Sequence, residues 1–196
     1  MASVIDGSAS AIFQTPLPVA QGGTGAATGA GAAAALAPIQ LGTAQNTTSG
    51  TSIDFTGIPA GVKRITVMFN VVSTTGTSIL QIQIGSGSVQ TSGYTTGWIQ
   101  GSSGAAAALT ALTTGFPVGT PTAANATFSG VVTLVLLNAA TGVWAMSGNT
   151  GDDTNSRAWS LSGAKILSGV LDRVRLTAVN GTDTFDAGSV NIMWEF

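Results

Sequence analysis

Eight carboxylates and a few aromatic rings are the side chains in this 196-residue sequence best equipped to do chemistry or hold a ligand. The acids are Asp6, Asp54, Asp152, Asp153, Asp172, Asp183, Asp186 and Glu195. Glycoside cleavage needs two carboxyl groups on opposite sides of the scissile bond, roughly 5 to 9.5 Å apart. Asp183 with Asp186 in NGTDTFDAG, and Asp152 with Asp153 in TGDDTN, are the pairs that could approach this arrangement. Both lie in Gly- and Thr-rich turns, where an Asp commonly bonds its own backbone, so a turn role is expected for each. The same oxygens would suit a hard cation such as calcium, but TGDDTN lacks the loop spacing of a calcium motif. The chain has no histidine and no cysteine, which removes the commonest general base, the usual zinc ligands and all thiol chemistry. We therefore expect no enzyme: no catalytic residue, no cofactor-binding residue and no metal ligand.

The aromatics suggest a binding role instead. Tyr94 and Trp98 stand together in SGYTTGWIQG, and Trp159 follows the Asp- and Asn-rich loop NTGDDTNSR. Sugar rings stack on aromatic faces while Asn, Gln and Asp bond their hydroxyls. A glycan site built from Tyr94, Trp98, Asp152, Asp153 and Asn155 is the expectation this pattern supports. The competing reading is that a Trp flanked by apolar strand residues belongs to a core or a subunit interface.

The glycine-rich stretch GGTGAATGAG, residues 22–31, does not meet the GxGxxG dinucleotide spacing, follows no strand and has no Walker lysine, so phosphate binding is not expected. Charge argues the same way. There are 6 Lys plus Arg against 8 Asp plus Glu, and charged residues make up only 7% of the chain, where about 25% is usual. Nucleic acid needs clustered cations, and the close pairs here are Lys63-Arg64 and Arg173/Arg175. Mean hydropathy is +0.41. So little charge gives copies of the chain little reason to repel one another, and an obligate homo-oligomer is expected. The N-terminal MASVIDGSASAIF lacks the basic start and apolar run of a signal peptide, and no stretch reaches the roughly 18 apolar residues of a membrane span. A surface destination would then come from assembly rather than export, with no membrane insertion.

Three regions would position these residues. Residues 1–15 carry Ile5, Ile12 and Phe13 in a segment without clear periodicity, the pattern of an extended arm that orders on a partner. Residues 16–41 form a Gly/Ala-rich linker with a short helix over Ala30–Ala37, capped by Thr28 and stopped by Pro38. Residues 42–196 read as an all-β body, an antiparallel β-sandwich or jelly roll. Strands are expected near Ser52–Phe55, Arg64–Val72, Ser78–Ile84, Thr96–Gln100, Thr127–Leu137, Gly142–Ser147, Ala158–Leu161, Leu171–Val179 and Ser189–Phe196.

Alternation assigns the faces. Ile65, Val67, Phe69 and Val71 should point one way, as should Leu80, Ile82 and Ile84 with Gln81 and Gln83 turned away, and Val190, Ile192, Trp194 and Phe196. Val131–Leu137, VVTLVLL, is apolar on both faces, which a sheet with one wet face does not need. A neighbouring subunit is the preferred cover for the second face, and the chain's own loops are the alternative. Ala105–Leu112, AAAALTAL, is helix-competent, or else a small-residue loop at an interface.

The segment Leu17-Pro18-Val19-Ala20-Gln21-Gly22-Gly23-Thr24-Gly25-Ala26-Ala27 resembles the VxxGGTGA linker of bacteriophage tail fibre and related virion proteins, in which an Ala-rich helix follows. The stretches GTSIDFTGIPAGVKRITVMF and LDRVRLTAVNGTDTFDAGSVNIMWEF are similar to a body domain of phage tail and head appendages. The resemblance implies a structural virion component: a trimeric tail fibre-type appendage, assembled in the host cytoplasm and anchored to other virion proteins through residues 1–15. Its β body would then recognise a host surface. A head fibre or capsid decoration protein fits the same pattern, and a polysaccharide depolymerase fits it less well.

Overall fold

The computed structural model describes Thr28, Ala32, residues 36–102 and residues 105–196, those from 105 to 110 by backbone alone. The arm at 1–15 and most of the linker lie outside these residues. The chain divides into two compact units, Met1–Gln40 and Leu41–Phe196. In the first, Ala32 and Leu36 of the expected helix are described and both are helical, and the Ala32 N–H donates to the Thr28 carbonyl at 2.9 Å. That bond places Thr28 where a helix cap belongs.

The strands, in chain order, are β1 (Ile39–Leu41), β2 (Gln45–Asn46), β3 (Ser52–Thr56), β4 (Arg64–Thr74), β5 (Leu80–Ser86), β6 (Ser88–Val89) and β7 (Tyr94–Ser102). They continue with β8 (Ala105–Thr110), β9 (Phe116–Gly119), β10 (Phe128–Asn138), β11 (Val143–Asp152), β12 (Arg157–Ile166), β13 (Arg173–Ala178) and β14 (Phe185–Glu195). The second unit is all-β, with two antiparallel sheets. The large sheet runs β14-β4-β10-β11-β12-β7-β8, with β2 along β14; the small sheet runs β3-β13-β5-β6, with β9 also on β5. Their facing sides share one hydrophobic core. The large sheet supplies Ile65, Val67, Val132, Leu134, Trp159 and Ile192, and the small sheet Ile82, Ile84, Phe116, Val174 and Leu176.

All nine expected strands are present, several of them longer than their apolar alternation announces. β11 and β12 run on through Gly148, Gly151, Ser162 and Gly163 and pair rung for rung from Val143↔Ile166 to Asp152↔Arg157. Gly148 is needed there, because a Cβ at that position would come within 2.7 Å of the Val132 Cα on the neighbouring strand. Residues 105–110 of the helix-competent AAAALTAL form strand β8 against β7, from Ser102↔Ala105 to Trp98↔Thr110. An available sheet edge overrides alanine's helix propensity.

Two face assignments need correction, those of Val71 and Phe196. Val71 does not join Ile65, Val67 and Phe69 inside; it is exposed, with φ of 54°, and Val72 is buried in its place. The pairing of β4 slips on both sides here, against β10 between Phe128 and Gly130 and against β14 between Phe185 and Ser189. A bulge inserts one residue and so reverses the alternation beyond it. Gly130 and Gly188, with φ of 144° and 90°, make room for it; a Cβ on Gly188 would collide with the Val71 carbonyl. Gln81 and Gln83 face away from the core as expected, yet both are buried. Phe196, expected to point inward, is also exposed.

Candidate functional site

The five residues singled out for glycan binding are not brought together. Tyr94 opens β7 opposite Lys165, whereas Asp152 closes β11 beside Arg157, which pairs with Ser102 at the far end of β7. Eight strand residues separate the two ends, roughly 26 Å. Tyr94 and Trp98 are both buried in the core, so neither ring offers a face to solvent. The Tyr94 ring packs edge-on to Phe116 at 4.9 Å between centroids, with the Lys165 Nζ 5.3 Å from its centre. Its hydroxyl accepts the Ile84 N–H at 2.8 Å and donates to the Gln90 carbonyl at 2.9 Å, which ties the large sheet to the small one. Burial pushes this phenol up to about 12, against the opposing pull of the Ile84 N–H.

Asp152 is buried as well and serves the β11–β12 turn. Its Oδ1 accepts the N–H groups of Thr154 and Asn155 at 3.0 and 3.1 Å, and its Oδ2 accepts the Asn155 Nδ2 at 2.8 Å. Asp153 is exposed and accepts the Ser129 hydroxyl, whose oxygen in turn accepts the Val71 N–H at 3.1 Å, so it supports the bulge. Asp183 spans two loops, accepting the Ser78 N–H at 3.0 Å and the Asn180 amide at 2.6 Å. Asp152 and Asp183 accept backbone N–H groups directly, and Asp153 holds the Ser129 hydroxyl that accepts one.

The outward face of the small sheet is polar. Its central row is Asp54, Arg175 and Gln83, across β3, β13 and β5. Arg175 meets Asp54 with both arms of its fork, Nε to Oδ1 at 2.7 Å and Nη2 to Oδ2 at 2.9 Å, and its guanidinium is held more basic than usual by that bond. Gln83 donates to the Thr114 carbonyl at 2.9 Å, and the Thr114 hydroxyl donates to the Gln81 Oε1 at 2.9 Å. That loop explains why the two glutamines are buried on an outward face. A cleft of about 310 Å³ remains between it and Thr177. A second cleft, of about 600 Å³, opens where β10, β11 and β12 end. It is mainly apolar, with Val62, Leu136, Trp144, Ile166 and Val170 in its wall and Lys63 as its charged residue.

The outward face of the large sheet differs from both clefts. Strand pairing sets its rows. One runs Asn191, Met68, Val131, Asn149, Ser160, Ile99 across β14, β4, β10, β11, β12 and β7. The next is Met193, Thr66, Thr133, Ser147, Ser162, Gly97, and the third is Glu195, Arg64, Val135, Ala145, Ala164, Thr95. Charge enters these rows only as the pair Arg64–Glu195, 3.2 Å apart. Val131 and Val135 are 46% and 40% exposed, and Leu137 beyond them 71%. The second apolar side of VVTLVLL is therefore not covered by the described residues of its own chain. Met68, Met193 and Ile99 extend this surface, and their signal in the sequence was their place among the outward positions of β4, β14 and β7.

Among the described residues no three acidic side chains gather as a metal site, and no helix is long and apolar enough to cross a membrane. No protein-family model matches this sequence, and comparison with curated proteins finds no significant match.

Proposed function

We propose that the chain is a structural subunit of a bacteriophage virion, without catalytic activity, that works as a self-associating appendage. Residues 1–15 attach it to other virion proteins and the β body projects outward. The GGTGA-type linker at residues 22–26 points to the particle. The observation that carries the reading in the body is the outward face of the large sheet, whose rows hold one ion pair, Arg64–Glu195, beside the open valines of β10. A surface of that kind suits assembly better than turnover of a substrate. Homotrimeric order, as in a tail fibre, follows the resemblance of the linker. A glycan contact, if the body makes one, uses groups other than the buried Tyr94 and Trp98.

Particles carrying the protein with a label on its body test this by imaging. Label at the tail supports the fibre-type appendage, label spread over the capsid supports the head fibre or decoration variant, and unlabelled particles refute the proposal. Deleting residues 2–15 should abolish incorporation while the purified variant keeps the thermal transition of the parent.

A further inference from the structure

We propose that the outward face of the large sheet is where copies of this chain pack on one another, with β10 of each copy beside the symmetry axis. This rests on the virion-subunit reading and gives it a contact surface. In an antiparallel sheet with one side in water, residues on the wet side are ordinarily polar. β10 instead turns Val131, Val135 and Leu137 outward, flanked by Met68 on β4 and Ala145 on β11.

Charge selects the occupant. An acidic polymer would find a single cation on these rows, Arg64, already paired with Glu195, and a basic partner would find only that same Glu195. An identical copy brings no opposing charge and needs none, so two such faces meet without desolvating an unpaired ion. Shape agrees. Ser147, Ser160, Ser162, Gly97 and Ala164 keep the relief low beside the valine stripe, which lets a second sheet approach to the usual packing distance of about 10 Å. Six strands about 4.8 Å apart and three outward rows about 7 Å apart give roughly 500 Å² per copy, or ~1,000 Å² per contact, about where specific interfaces begin. On a twofold axis Val135 faces Val135 of the second copy, and beside a threefold axis the three Val135 side chains converge on the axis.

Mass measurement in solution on the full chain, by sedimentation or light scattering, provides the test. The parent should be oligomeric, and Val131→Glu with Val135→Glu should weaken association at least about a hundredfold, because like charges then meet at the axis. Its circular dichroism should remain that of a folded β protein. Should that variant misfold, the chain's lack of cysteine permits a gentler probe. Val135→Cys treated with a short bis-maleimide should give covalently linked copies, and Ser88→Cys, on the edge of the small sheet, should not. A monomeric parent overturns the inference. So does a Glu variant that stays oligomeric, or a Val135→Cys chain that links no better than Ser88→Cys. The last two results leave the virion reading standing, whereas unlabelled particles would remove that reading and leave the interface intact.

Discussion

On the small sheet the central outward row is Asp54, Arg175 and Gln83; on the large sheet the third row is Arg64, Val135 and Ala145. The first is closed within the chain. Asp54 and Arg175 hold each other, and Gln83 and Gln81 are roofed by Thr114, so the polar groups find partners without a second molecule. The second is left open, with a valine stripe in water and hydroxyls beside it. Hydrogen bonding is local and directional, so the short loop between β8 and β9 can complete it. Apolar surface is satisfied only by area, and the described residues supply none on that side. The two faces differ in what each still lacks, and the following measurements probe that difference.

The sharpest probe compares neighbours on one strand. Leu134 is fully buried and Val135 points out. Leu134→Ala should cost about 2–5 kcal/mol in chemical denaturation. Val135→Ala should cost within about 0.5 kcal/mol under dilute, dissociated conditions, and more as concentration rises and association becomes part of stability. Equal losses at every concentration would mean that β10 is covered on both sides by its own chain.

This contrast was partly legible in the sequence. Period-2 alternation located nine strands, and the two-sided apolarity of Val131–Leu137 marked the one that turns hydrophobic residues to both faces. Alternation carries no information about where a bulge will fall, so Val71 was placed on the wrong side; its reversal depends on Gly130 and Gly188 in partner strands far away in sequence. Nor does it report a covering loop, which is why the burial of Gln81 and Gln83 by Thr114 came only with the fold. The aromatic and acidic candidates failed to converge for a related reason. Tyr94 and Asp152 lie at opposite ends of an antiparallel ladder, and local composition cannot reveal pairing register. Ala105–Thr110 became a strand because β7 offered an edge, a tertiary fact.

Tyr94 joins the two sheets, so it tests whether the closed and open faces belong to one cooperative body. Tyr94→Phe keeps the ring against Phe116 but leaves the buried Ile84 N–H without its acceptor, which should cost about 1–3 kcal/mol. The phenol also predicts a pH effect. Its folded value is raised from 10.0 to about 12, so the unfolded chain ionises first. Stability should be unaffected below pH 10, fall as pH rises from 10 toward 12, and fall less in Tyr94→Phe. Denaturation curves between pH 9 and 11.5 would show it. Identical slopes for parent and variant would place the tie elsewhere.

The smallest effect should come from the pair that closes the outward row of the small sheet. Asp54 and Arg175 make a bidentate bridge, yet each side chain is about one-third exposed, at 34% and 35%, and water screens the attraction. A double-mutant cycle with Asp54→Asn and Arg175→Gln should return a coupling of about 0.2–1 kcal/mol, shrinking with added salt. Neither variant should alter the oligomeric state, because the pair lies on the small sheet, away from the stripe on β10. If breaking Asp54–Arg175 did dissociate the copies, the small sheet's face would be the contact surface. The assignment of closed and open faces would then be reversed, and Val131 and Val135 would be exposed for some reason other than assembly.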